Sequence, residues 1–306
     1  MRTNRWMAAL TGAVALTAGI AASAGVFLRG SGATEVVTST RGETYEMATD
    51  GVYAYNAMRV VAEGIGWDVF TLAVAVPTLL LSSVWVGRGS FRGRLVAAGL
   101  LGYFAYMYLE YAVTWAFGPL FPLFIAIFAA SLIGVLWIGT ELAADGLADR
   151  FASRFPRRSW AVLSMGMAFL LTALWAQRIL QGLSGPPILH GETTMTIQAL
   201  DLGLVVPATL LIAILALRRW PAGLAAAAAF AVMFTAMCAA IGSMLVSAWL
   251  VTGVLELPPI VIFGLASAVG LVISTRMFRS VMPVRAERAS PTTTSLDWRP
   301  TLPASG

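Results

Sequence analysis

The sequence predicts an all-α, polytopic helical membrane protein with about eight transmembrane helices in two parallel four-helix repeats. Three observations carry that expectation. Hydrophobic residues make up 58% of the chain and charged residues 11%, and mean hydropathy is +0.81. That is too little charge for the water-facing surface of a soluble domain. Eight apolar runs long enough to cross a bilayer recur along the chain. The arginines, finally, collect in every second segment between those runs.

The runs fall at about 6–28, 66–87, 95–116, 119–140, 160–181, 198–217, 222–250 and 258–276. The seventh is longer than a bilayer needs, and a bend near Gly242 is one way to accommodate it. Arg2 and Arg5 precede the first run, and Arg88, Arg92 and Arg94 follow the second. Arg150, Arg154, Arg157 and Arg158 follow the fourth, Arg218 and Arg219 the sixth, and Arg276, Arg279, Arg285 and Arg288 close the eighth. If all eight runs span, these segments share one side, and the positive-inside rule places both termini in the cytoplasm. The first run has a rival reading. Two arginines, a modest apolar core and Ala22-Ser23-Ala24 also describe a cleavable signal peptide over residues 1–24.

Between the first two runs lies the largest hydrophilic piece, residues 30–65. Glu35 to Thr40, Arg41-Gly42 and Glu43 to Met47 read as a short hairpin. Thr49-Asp50 reads as the cap of a helix over about 51–64, with Arg59 and Glu63 paired at i, i+4. This segment is either a lid, a solvated connector or a dock for a membrane protein partner. Residues 141–159 mix acids with four arginines and read as an amphipathic cytoplasmic connector. Residues 283–306 have the Pro, Ser and Thr content of a disordered cytoplasmic tail.

Pro77 and Pro207, Arg88 and Arg218, and Gly93 and Gly223 are each 130 residues apart. At the same spacing Asp68 meets Gln198 and Thr71 meets Asp201. Four runs separate the matching segments, so the copies cross in the same direction. The division is a first repeat over 1–140 that includes the outer segment, the connector 141–159, and a second repeat over 160–282.

All 20 basic residues are arginine, which excludes lysine Schiff-base chemistry and a P-loop lysine. The net charge of +5 is explained by topology, not by nucleic acid. Cys238 is the one cysteine, so no intramolecular disulfide or dithiol pair forms. With a single histidine, a multi-His zinc site is excluded; His190 and Glu192 in the loop after the fifth run are weak metal candidates. No motif implies a cofactor, and nothing resembles H-E-x-x-H, G-x-S-x-G or a nucleotide loop, so the chain leans away from enzymes.

One carboxylate stands apart. Glu110 lies inside the third run, about 9 Å from its outer end at ~1.5 Å per residue. Charges at such depth are costly and face a protein interior or a wet cavity. Asp68 and Asp201 fall in the outer first turns of their runs, and Arg178 lies at the outer end of the fifth. Asp68, Thr71, Ala75, Thr78 and Ser82 form one helical stripe; Tyr103, Tyr106, Glu110 and Thr114 form another. The expected site is an outward-facing polar crevice built from Glu110, Asp68, Asp201, Thr71, Gln198, Tyr103, Tyr106 and Arg178. The bland alternatives are helix caps for the two aspartates, packing and interface anchoring for the tyrosines, and a structural Glu110–Arg178 ion pair.

Asp68-Val-Phe-Thr-Leu with Pro77, Gly102-Tyr-Phe-Ala-Tyr with Pro119-Leu-Phe-Pro-Leu-Phe, and Ala199-Leu-Asp-Leu-Gly-Leu-Val-Val-Pro207 resemble an uncharacterised family of bacterial multi-pass membrane proteins. The resemblance covers about the middle half of the chain and implies a bacterial plasma membrane, but no role for any residue. The function expected is transport-like binding of a small cation, proton or small solute. A non-catalytic assembly subunit is the alternative, and a membrane-embedded enzyme ranks below both.

Overall fold

The computed structural model describes residues 2–144, 146–147 and 150–282. Among these are eight helices long and apolar enough to cross a membrane. They are α1 (Arg2–Phe27), α2 (Met58–Gly87), α3 (Phe91–Thr114), α4 (Phe121–Ala144), α5 (Arg157–Ser184), α6 (Thr196–Leu217), α7 (Pro221–Thr252) and α8 (Leu257–Ser280). Each begins or ends within a few residues of an apolar run, because in hydrocarbon every backbone N–H and C=O must be satisfied inside its own helix. α7 runs unbroken through Gly242. The tail 283–306 lies outside the described residues.

Two of these helices carry a register shift. In α2, residues Thr71–Ala75 form a π-helical turn, and in α6 residues Asp201–Val205 do the same. A proline follows each, Pro77 and Pro207, with no N–H to donate and a ring that crowds the preceding turn. The wider turn absorbs that misfit. It also advances the helix by one position. The buried face of α2 accordingly reads Asp68, Thr71, Ala75, Leu79, Ser82 and Val86, and Thr78 turns away to bond the Val74 carbonyl instead. Of the predicted stripe, Asp68, Thr71, Ala75 and Ser82 lie on the buried face and Thr78 gives its place to Leu79.

The π turns are 130 residues apart, and so are the turns that close these helices. Arg88 N donates to Val84 O and Arg218 N to Ile214 O; Ser90 N donates to Trp85 O and Trp220 N to Leu215 O. The residue between the two donors, Gly89 or Arg219, takes a positive φ.

α1 packs along α2 and α4, and α3 along α4; α5 packs on α6, and α7 on α8. The two groups meet where α2 and α3 lie against α7. Glycine makes that approach possible: a Cβ on Gly66 would sit 2.4 Å from the Ser243 carbonyl, and one on Gly99 would sit 2.3 Å from the Ala229 carbonyl. Ser243 Oγ donates to Gly66 O at 2.6 Å across the same crossing.

The arginine-bearing segments gather on one face. Arg92 Nη2 donates to Val281 O at 2.7 Å, and Arg150 stacks over Phe91 at 4.7 Å. Residues 150–156 are not an amphipathic surface helix. They form a turn whose Phe151 and Phe155 are buried, and whose backbone pairs with the end of α8. Two buried rings hold the segment more firmly than an exposed helix would.

The opposite face carries the outer segment. β1 (Thr34–Thr38) and β2 (Thr44–Ala48) form the expected antiparallel hairpin. The expected separate helix over 51–64 is absent: residues 51–55 are turn, and helix begins at Met58 as the first turns of α2. Asp50 instead holds the loop, accepting from Ser31 N at 2.9 Å. Asn56 ties the segment to the α3–α4 loop, accepting from Ala116 N at 2.8 Å.

Candidate functional site

On the hairpin face, a cavity of 620 Å³ opens between the α5–α6 pair and α7, with α2, α3 and α8 completing its upper wall. Its volume falls within the roughly 300–1,000 Å³ usual for ligand pockets. Its upper part is polar, with Arg59, Glu63, Tyr106, Glu110, Arg178, His190, Glu192, Gln198, Asp201 and Glu256. Its lower part is apolar, with Met167, Ala168, Leu171, Val206, Phe230 and Phe234 among the walls.

The space has a reason in the residues of α7. Cys238 and Ile241 line it, whereas the residues 130 earlier, on α3, are Tyr108 and Tyr111. Those tyrosines are buried and pack with Phe104, Phe124 and Trp115 into a solid aromatic core. Smaller side chains at the later positions leave their half hollow.

Glu110 is 6% exposed and borders the cavity. Its backbone carbonyl accepts from Thr114 Oγ1, but among the described residues its carboxylate has no hydrogen-bond or ion-pair partner. A buried charge in that condition is expensive unless something in the cavity balances it. Asp201, 8% exposed, is held instead: Tyr106 Oη donates a short hydrogen bond to one oxygen and Trp175 Nε1 donates to the other at 2.8 Å. The π turn that opens at Asp201 aims its side chain between α3 and α5.

The expected Glu110–Arg178 pair is not formed. Arg178 Nη2 donates to the Ile188 carbonyl at 2.9 Å, bracing the α5–α6 loop. Among the described residues the ion pairs are Arg59 with Glu63, 3.0 Å, and Arg59 with Glu256, 2.9 Å, which join α2 to the start of α8 at the cavity rim.

Asp68 corrects the expectation of three converging acids. It is fully buried away from the cavity, accepts from Tyr53 Oη at 2.5 Å, and packs against Gly25 of α1. Thr71 and Tyr103 are also outside the cavity, bonded to each other at 2.8 Å. The same register that buries Asp68 among α1 and α3 turns it from α7, whereas its partner in the spacing, Gln198, faces the cavity. So Glu110, Asp201, Tyr106, Gln198 and Arg178 come together, and Asp68, Thr71 and Tyr103 do not.

The hairpin reaches the α5–α6 loop that borders this site. Both oxygens of Glu43, in the hairpin, accept backbone N–H groups of the α5–α6 loop: Leu189 N and His190 N, each at 2.9 Å. Tyr45 fills the position where a Cβ on Gly191 would stand, 2.5 Å from its Oη. In that loop, burial holds the His190 pKa below its ordinary value and raises Glu192 to about 7, with Arg178 opposing the second shift. His190 and Glu192 both border the cavity, yet among the described residues no group of three His, Cys, Asp or Glu side chains could hold a metal ion.

Trp175, Glu43 and Glu256 were not singled out from the sequence. Trp175 lies three residues before Arg178 on the same helical face, a signal that was available. Glu43 and Glu256 sit in connecting segments, where no period marks them.

No protein-family model matches the chain, and comparison with curated proteins and with solved structures gives no match. The chemistry of the site is therefore read from its own residues.

Proposed function

We propose that this chain is a bacterial plasma-membrane protein that binds a cation in the lidded cavity, with Glu110 as the counter-charge, in a transport-like cycle. One observation carries the reading: a carboxylate 6% exposed, bordering a cavity, with no partner among the described residues. Five carboxylates border that cavity (Glu63, Glu110, Glu192, Asp201, Glu256) against two guanidinium groups, Arg59 and Arg178. The excess of negative charge favours a cationic occupant. Glu63 and Glu256 share Arg59 as an ion-pair partner, and Asp201 accepts from two donors, whereas Glu110 has neither among the described residues.

The arginine-rich face is assigned to the cytoplasm and the lid face to the outside, as the positive-inside rule directs. The cavity then opens outward under the lid, as a binding site with alternating access would. The paired π turns and closing turns at one spacing support two parallel four-helix repeats, the second of which has lost its aromatic core. Because the hairpin engages a loop of its own chain, a lid fits residues 30–65 better than a dock for a partner subunit.

The test uses the full chain in lipid nanodiscs and an apolar carbodiimide that modifies buried carboxyl groups, read at Glu110 by mass spectrometry. The reading sums the acylurea and any amide formed with an added amine, so that only an unreacted carboxyl group counts as protected. Methylammonium is expected to protect Glu110, and methanol at the same concentration to have no effect. Asp68→Asn should leave that protection unchanged, since Asp68 is outside the cavity. Protection by methanol equal to that by methylammonium, or no protection by either, overturns the proposal.

A further inference from the structure

Resting on the cation reading of the same cavity, the geometry points to a narrower class of occupant: a single-chain amphiphilic ammonium, its head at Glu110 and its alkyl chain in the apolar part below. The cavity is two-part by construction. Around Glu110 and Asp201 the walls carry charge and hydrogen-bond donors; toward the bundle's middle they are Met167, Ala168, Leu171, Thr209, Phe230 and Phe234, with nothing charged. A hydrated inorganic ion has no use for that lower part, which supplies dispersion contacts only. A ligand with a cationic end and an apolar body uses both.

Length agrees. From Leu174, near the level of Asp201, the lining continues down α5 to Ser164. At ~1.5 Å per residue those ten positions span about 15 Å. With C–C bonds of ~1.5 Å in a zigzag, that is the reach of an extended chain of about twelve carbons.

The flank of the cavity also suits such a ligand. α5 leans on α6 and scarcely touches α7 or α8, whereas α1, at the matching place in the first four helices, packs along α4. Val162 and Phe169 on α5 are 75% and 77% exposed, and Leu265 on α8 is 63% exposed. In a bilayer those surfaces contact acyl chains, so the cleft between α5 and α8 gives a membrane-dissolved amphiphile a sideways route.

The same carbodiimide assay tests the class, with methylammonium, dodecylammonium and dodecanol as probes. The chain is compared with A168F and T209F, which narrow the apolar part of the cavity about two turns below Trp175 and Asp201. Partitioning into the nanodisc is the same for every variant and cancels. Either substitution is expected to raise the dodecylammonium concentration for half-protection at least ~10-fold, about 1.4 kcal/mol. The methylammonium value should stay within about twofold, which also shows that the variant is folded. Dodecanol should not protect.

Equal shifts for the short and long ammonium ions, or no shift for either, overturn the amphiphile while leaving a cation site at Glu110 intact. Loss of protection by both ammonium ions in the unmodified chain overturns both readings. Protection of Glu110 by phosphatidylethanolamine nanodiscs over phosphatidylcholine ones assigns the cavity to a two-chain aminolipid and overturns the single-chain ligand.

Discussion

Removing the Glu43 carboxylate should open the lid and leave the bundle in place. Its two oxygens each accept one backbone N–H, from Leu189 and His190, at 2.9 Å. Hydrogen bonds to a charged group contribute about 1.5–3 kcal/mol each when buried. Here the contacts are half-buried, and after E43A water can reach the freed N–H groups. About 1 kcal/mol each, or ~2 kcal/mol together, is the appropriate figure, and that is roughly a 30-fold rise in the open population. Hydrogen exchange at the 189 and 190 amides measures it directly, because these amides exchange through local opening. Expected is about 30-fold faster exchange in E43A, a smaller increase in E43Q, which keeps one acceptor, and unchanged rates in α3 around Leu101. Unchanged exchange at 189 and 190 in E43A would show that the hairpin does not hold the loop, and the lid description would be wrong.

Two further outcomes follow from particular contacts. A Cβ at Gly99 meets the Ala229 carbonyl at 2.3 Å, whereas one at Gly139 meets nothing within 4 Å. G99A should therefore cost about 1–3 kcal/mol by forcing α3 from α7, while G139A should be neutral or slightly stabilising; equal melting temperatures for the two would refute the close-packed crossing. Glu192, in the lid, has its pKa raised from 4.5 to about 7 chiefly by burial, with Arg178 opposing. Its proton is held more tightly in the folded state, so its stabilising contribution is complete below about 4.5 and is lost as pH rises through about 7. E192Q mimics the protonated form. It should match the unmodified chain near the acid end and exceed it at pH 8.5 by about 2 °C, after discounting a partly exposed group to under ~1 kcal/mol. His190, whose shift runs the other way, is common to both chains and cancels from the comparison, as do Glu43, Arg59 and Arg178 around it. A difference that shrinks with rising pH would contradict the assignment.

The spans, the face that gathers the arginines and the β1–β2 hairpin were all legible in the residues. Each is a local matter: twenty apolar residues in a row have one way to satisfy their backbone in hydrocarbon, and an alternating stretch around Arg41-Gly42 has one way to turn. Glu110 was legible too, because a carboxylate inside an apolar helix is anomalous whatever surrounds it. Of its expected neighbours, Asp201, Tyr106, Gln198 and Arg178 border the same cavity, and Asp68, Thr71 and Tyr103 do not. Asp68 and Asp201 look alike in sequence, each an acid in the first turns of a span two turns before a proline. Packing separates them: Asp68 meets Gly25 and Tyr53 and is sealed in, while Asp201 sits beside a helix whose Cys238 and Ile241 leave room. That Leu79 and not Thr78 joins the buried face likewise depends on whether a proline is absorbed by a kink or by a π turn, and helical spacing does not encode that choice. The amino-acid order alone thus determined the eight helices long and apolar enough to cross a membrane and the anomaly of Glu110. Only the tertiary fold decided which polar groups share a cavity, because cavities are made by the sizes of side chains on different helices, summed where they meet.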